Sequence, residues 1–162
     1  MIFLAYIKNL LYLCSDFLNL FSMETNVNAP AMQLRTDRGL VKMIFLSLIT
    51  FGIYSIVVES HISEELNLIA SRHDGRRTMH FCLIYFIFSW LTLGIAPFVW
   101  YHRTSDRMRG ELERRQIDYS FGASDFWLWG ILGTLIVVGP YVYIHKRMKA
   151  MNLINADYNQ KG

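Results

Sequence analysis

Three histidines recur at similar spacing along this chain, and no other set of side chains comes as near to a chemical site. His61, His102 and His145 each lie just beyond a run of uncharged residues. Three imidazoles can ligate a metal ion or titrate between about pH 6 and 7. Apolar runs that cross a membrane alternately up and down would, however, leave these histidines on different sides. We therefore expect interfacial imidazoles near lipid headgroups, and neither a metal site nor a cofactor.

The sequence has no pattern typical of an enzyme. It contains no nucleophile with an evident base, no glycine-rich loop for a phosphate and no paired carboxylates typical of a catalytic cleft. The net charge of +3 is mild and suits loops beside an anionic leaflet better than a nucleic-acid partner. These features predict a non-enzymatic protein that does not bind nucleic acid.

The composition is typical of a membrane protein, because 53% of the residues are hydrophobic and only 18% are charged. Residues 43–58, 81–101 and 126–144 carry no charge. The last two runs are long enough to cross a hydrocarbon core of about 30 Å, and the first becomes so when residues 39–42 are added. The sequence therefore predicts an all-α membrane bundle with three transmembrane helices.

A polar segment follows each apolar run, at residues 60–71, 104–116 and 145–158. The first has apolar residues at helical spacing, and the second pairs opposite charges four residues apart, as in Arg109 and Glu113. Both patterns predict helical extensions that continue into water or along the headgroups. A dedicated binding surface is the less favoured interpretation.

Residues 1–32 precede the predicted membrane domain, which we place at residues 33–159. Apolar residues recur there at helical spacing, although Lys8 and Asp16 interrupt them. This favours an amphipathic helix on the membrane surface, followed by a polar linker. The alternatives are a further spanning helix and a start of translation at a later methionine.

A short pattern recurs at an offset of 42 residues: residues 50–53 and 92–95 both read Thr-x-Gly-Ile. A weaker third copy aligns Pro97 with Pro140 when one residue is inserted. Repetition at a fixed offset favours an internal repeat of a spanning helix with a polar tail. The alternative is chance similarity, because membrane helices are built from the same few residue types.

The repeated residues favour helix packing over a broken helix that lines a pathway. Glycine lets helix backbones approach closely, and a threonine hydroxyl can bond across helices or back to a carbonyl. A proline inside a span would kink it, and a tyrosine at its end would approach the interface. The predicted packing and kink positions are Thr50, Gly52, Tyr54, Thr92, Gly94, Pro97, Gly139 and Pro140.

The sequence resembles the bacterial membrane family known as domain of unknown function 4234. The residues that carry the resemblance are those at 35–39, 48–54, 63–67, 93–95, 100, 126–130, 151–152 and 157–159. The chain departs from the family pattern at Val58, where a tryptophan like Trp100 is expected. The resemblance implies a small multi-pass protein of the bacterial inner membrane and implies no activity.

We expect this chain to act in the inner membrane through helix–helix association with itself or with a membrane protein partner. Its other expected partner is the lipid bilayer. Two further functions stay open: a subunit of an oligomeric channel or transporter, and a lipid-sensing membrane anchor. Lysine and arginine are divided almost evenly between the two predicted sides, so they favour a cytoplasmic start only slightly.

Overall fold

The computed structural model describes residues 33–162, and the predicted N-terminal amphipathic segment lies outside that range. The described residues form helices and no strands. The elements in chain order are α1 (Leu40–Ile49), α2 (Ile53–Asp74), α3 (Phe81–Leu83), the π-helix π1 (Ile84–Phe88), α4 (Ser89–Leu91), α5 (Ile95–Arg114), α6 (Ala123–Asp125), the π-helix π2 (Phe126–Ile131), a 3-10 helix (Leu132–Ile136) and α7 (Gly139–Lys161). The all-helical prediction is confirmed for this part of the chain.

Each apolar run folds back on itself and forms a helical hairpin. The first hairpin pairs α1 with α2, the second pairs α3, π1 and α4 with α5, and the third pairs π2 and the 3-10 helix with α7. The breaks occur where Phe51, Leu93 and Val137 take positive φ angles of 50°, 50° and 60°, which a right-handed helix does not tolerate. Among residues 33–162, none of the helices is both long and apolar enough for a membrane span. The three continuous helices that the sequence predicted are therefore not found in this range.

The three long helices, α2, α5 and α7, lie together and run in the same direction. Near their beginnings, Arg147 of α7 contacts both Glu59 of α2 and Thr104 of α5. Near their ends, Arg115, which directly follows α5, bonds to Asp157 of α7 at 2.7 Å. The three hairpin turns therefore lie at one end of the molecule, here called the tip end. The other end is the tail end.

The hydrophobic core lies between the long helices, in the segments that the sequence predicted to be polar extensions. Its buried members include Ile62, Leu66, Met108, Leu112, Met151 and Ile154. The apolar runs, by contrast, contain most of the exposed large hydrophobic residues. The extensions, which we expected to continue into water or along the headgroups, are packed together through their apolar faces.

An extended segment before α1 is fixed to α7 by asparagine side chains. Asn159 accepts from the backbone N–H of Leu34 and donates to its carbonyl, both at 2.8 Å. Asn152 makes the same two bonds with Arg38, at 3.2 and 2.9 Å. Asn155 donates to Glu65, which also accepts from the Arg38 guanidinium. The asparagine side chains of α7 thus satisfy backbone N–H and C=O groups of this extended segment, as a neighbouring strand would do in a sheet.

Candidate membrane-binding surface

The first hairpin turns through a compact hydrogen-bonded cap after α1. The Thr50 hydroxyl donates to the Leu46 carbonyl at 2.7 Å and accepts from the backbone N–H of Tyr54 at 3.0 Å. The N–H of Gly52 bonds to the Ser47 carbonyl at 2.7 Å, the 6→1 bond of a Schellman motif. Thr50 therefore links the end of one helix to the start of the next.

The second hairpin uses the same bonds. The Thr92 hydroxyl donates to the Phe88 carbonyl at 2.6 Å and accepts from the N–H of Ala96 at 2.9 Å. The N–H of Gly94 bonds to the Ser89 carbonyl at 2.7 Å. The Thr-x-Gly-Ile pattern thus encodes a turn between helices. The two threonines bond back to their own helix, one of the two roles that the sequence left open.

Large apolar side chains occupy the position of each turn that usually takes glycine. Phe51 and Leu93 both have φ near 50° and are 97% and 94% exposed. A left-handed backbone costs a residue with a Cβ about 1–2 kcal/mol, and glycine or asparagine adopts it more easily. A bulky apolar group at such a position therefore points outward at the expense of local stability.

The predicted glycines have two different roles. Gly52 and Gly94 have φ of 87° and 89°, and a Cβ at either would meet no atom within 4 Å. Backbone conformation, and not close packing, therefore requires glycine there. At Gly139 space requires glycine, because a Cβ would collide with the backbone of Gly133.

Both predicted prolines lie in the first turn of a helix and not in its interior. Pro97 is the third residue of α5 and Pro140 the second of α7. A first-turn N–H has no intrahelical partner, so proline is tolerated there. The kinks expected at these residues are found instead as breaks just before them. Tyr54 is half-buried and packs against the core.

The hairpins expose large apolar residues at their turns and along the helices on either side. They include Val41, Phe45, Leu48, Phe51, Trp90, Leu91, Leu93, Leu132, Leu135, Ile136, Val137 and Val138. We call these residues the apolar tip surface. In the first hairpin it extends from Val41 near the start of α1 to Phe51 in the turn, about 15 Å at 1.5 Å per residue. An exposed patch of this kind marks a membrane or protein contact.

A buried ion pair lies between the long helices, near their beginnings at the tip end. Arg147 is 1% and Glu59 3% exposed, and the guanidinium bonds to the carboxylate at 3.0 and 3.1 Å. Arg147 also lies 5.3 Å from the ring centres of Trp100 and Tyr101. Sequence reasoning missed this pair because its members are 88 residues apart. The available signal is Glu59 itself, a charged residue that directly follows the apolar run 43–58.

The three histidines do not form a metal site. His61, His102 and His145 are the ninth, eighth and seventh residues of parallel helices, so they lie at similar depth, not on alternating sides. In the described part of the chain, no group of three potential ligands could hold a metal ion. His102 Nδ1 instead accepts from the Trp127 indole at 3.1 Å. Burial lowers the pKa of His61.

Ion pairs hold the tail end. Arg107 bonds to Asp74, to the Ser71 hydroxyl and to the carbonyl of Arg76, and so fixes the loop after α2. Partial burial would raise the pKa of Asp74, but hydrogen bonds from Arg107 and the Arg76 N–H lower it below its ordinary value. The hydrogen bond from Lys161 lowers the pKa of the Asp157 carboxyl in the same way.

These features define a class: a small all-helical protein in which three apolar-tipped hairpins surround a buried ion pair. The family model described as "Domain of unknown function (DUF4234)" matches residues 38–110 of this chain. The matched region begins just before α1 and ends within α5, so it contains the first two hairpins and not the third. Neither the curated proteins nor the solved structures gave a match to this chain.

Proposed function

We propose that this chain is an inner-membrane protein whose apolar tip surface is embedded in the lipid bilayer. In this proposal, its polar half lies at the membrane surface and associates with a second copy or with a membrane protein partner. The family assigns no activity, and we propose none beyond association.

The distribution of apolar and polar residues supports this proposal. Phe51, Leu93 and Leu135 are 97%, 94% and 87% exposed, whereas Leu66 and Met108 of the core are fully buried. Burial of one such large side chain contributes about 1.5–3 kcal/mol, so leaving three in water would be costly. The observation that carries the proposal is that these three residues all lie at the tip end.

The backbone conformation at the turns is independent support. Phe51 and Leu93 have φ near 50°, where asparagine would relieve strain. The double variant F51N/L93N should therefore keep the fold in mild detergent and lose affinity for lipid. Met79→Asn is a matched control, because Met79 is exposed and lies in the tail-end loop.

The test is co-flotation with lipid vesicles after detergent removal. We expect the wild type and M79N to float with the vesicles. The floating fraction of F51N/L93N should fall about tenfold or more, from the loss of two buried apolar side chains. Equal flotation of the wild type and F51N/L93N would contradict the proposed role of the tips.

The proposed association is tested separately, by native mass spectrometry of protein extracted from membranes in mild detergent. An oligomer or a co-purifying membrane protein is expected. A strict monomer without a partner would remove this part of the proposal and leave the membrane attachment untouched.

A further inference from the structure

We infer that the three hairpins enter and leave the membrane through the same face, so that the described chain is held in one leaflet. This inference rests on the proposed membrane attachment and adds its topology and depth. The occupant of the apolar tip surface is then the acyl-chain layer of a single leaflet.

The first argument is direction. Arg147 contacts Glu59 and Thr104 at the beginnings of the long helices, so α2, α5 and α7 all lead away from the tip end. Three helices that run in the same direction cannot be consecutive passes through a bilayer without a return segment. Each return segment is the short first arm of a hairpin, and it begins at the polar end.

The second argument is depth. Lys42 precedes Phe51 by nine residues and Arg103 follows Leu93 by ten, which places these charges about 14–15 Å from the tips. A hydrocarbon core is about 30 Å thick, so this distance is about one leaflet. Residues 43–58, 81–101 and 126–144 carry no charge. Glu59, eight residues after Phe51, is buried and paired with Arg147.

The third argument is charge. Lys42 and Arg103 are both exposed, and neither makes an ion pair with a carboxylate in the described range. At the depth derived above they would lie beside the phosphate groups of lipids, where a cation near an anionic surface gains about 1 kcal/mol. The charge pattern therefore matches the headgroup layer of the same leaflet.

Two loops distinguish this arrangement from three alternating spans. The loop at residues 75–80 follows α2 and the loop at residues 115–122 follows α5. Alternating spans would put these loops on opposite sides of the membrane, whereas hairpins in one leaflet put them on the same side. Arg76 and Arg77 are exposed trypsin sites in the first loop, and Arg114 is exposed at the start of the second.

The experiment adds trypsin to sealed membrane vesicles of each orientation that contain the unmodified full chain, and identifies the cleaved bonds by mass spectrometry. We expect cleavage after Arg77 and after Arg114 in the same vesicle orientation and protection of both in the other. Cleavage at the two sites from opposite sides would overturn the inference and leave membrane attachment intact. Recovery of the protein in the soluble fraction would overturn the proposed function itself.

A second measurement covers slow cleavage at Arg114, which is ion-paired with Glu111. A thrombin site inserted after Asp118, in the second loop, is compared with the same insertion after Gly75, in the first. The inference requires both sites to be cut from the same side, and opposite accessibility would refute it.

Discussion

Replacing Arg147 by methionine would leave the Glu59 carboxylate buried without its partner. Glu59 is 3% exposed, and its carboxylate accepts two hydrogen bonds from the Arg147 guanidinium, at 3.0 and 3.1 Å. The variant also removes the donor that lies 3.1 Å from the Thr104 hydroxyl. Breaking a buried pair by removing one partner costs about 3–5 kcal/mol. For a domain of this size, that corresponds to a fall in Tm on the order of 10–20 °C.

The measurement is thermal unfolding in mild detergent, followed by circular dichroism. Arg109→Met is a matched control, because Arg109 is 54% exposed and its pair with Asp106 lies at the surface. An exposed pair contributes less than about 1 kcal/mol, so Arg109→Met should hardly shift the transition. The double variant E59M/R147M removes both charges and should recover most of the loss. Equal shifts for Arg147→Met and Arg109→Met would refute the reasoning.

Three further predictions concern the turns and the tail end. Gly94→Ala forces a Cβ into φ of 89° and should cost about 1–2 kcal/mol in detergent unfolding, and no loss would contradict the role given to glycine. Gly139→Ala should be more damaging, because its Cβ meets the Gly133 backbone; an unchanged transition would show that the close approach is not needed. The lowered pKa values of Asp74 and Asp157 stabilise the fold above their unfolded value of 3.8, so stability should fall as pH drops below about 4. An unfolding midpoint that is constant between pH 5 and 3 would exclude this contribution.

The hairpin geometry also changes what the distribution of lysine and arginine says about membrane orientation. With three alternating spans, lysine and arginine are divided between two faces and give only a weak orientation signal. With three hairpins, the charges of the described residues lie toward the tail end. The orientation of the protein would then be set by the side of the membrane on which its whole polar half lies.

The sequence contains a signal for the turns that competes with its hydropathy. Gly52 and Gly94 each follow a helix, which is the usual signature of a helix end. The surrounding uncharged residues favour a continuous span and, with it, a packing role for both glycines. Helix-capping chemistry at the Thr-x-Gly-Ile pattern predicts the breaks, whereas hydropathy by itself predicts a continuous helix.

The sequence by itself determined that this protein is helical, where its uncharged runs lie and which residues can turn the chain, because propensity, hydropathy and glycine conformation are local properties. Only the tertiary structure decided that the long helices run in the same direction and that Arg147 meets Glu59 across 88 residues. Such pairing depends on the relative register of three helices. That register is fixed by the packing of Leu66, Met108 and Met151, which no single segment contains.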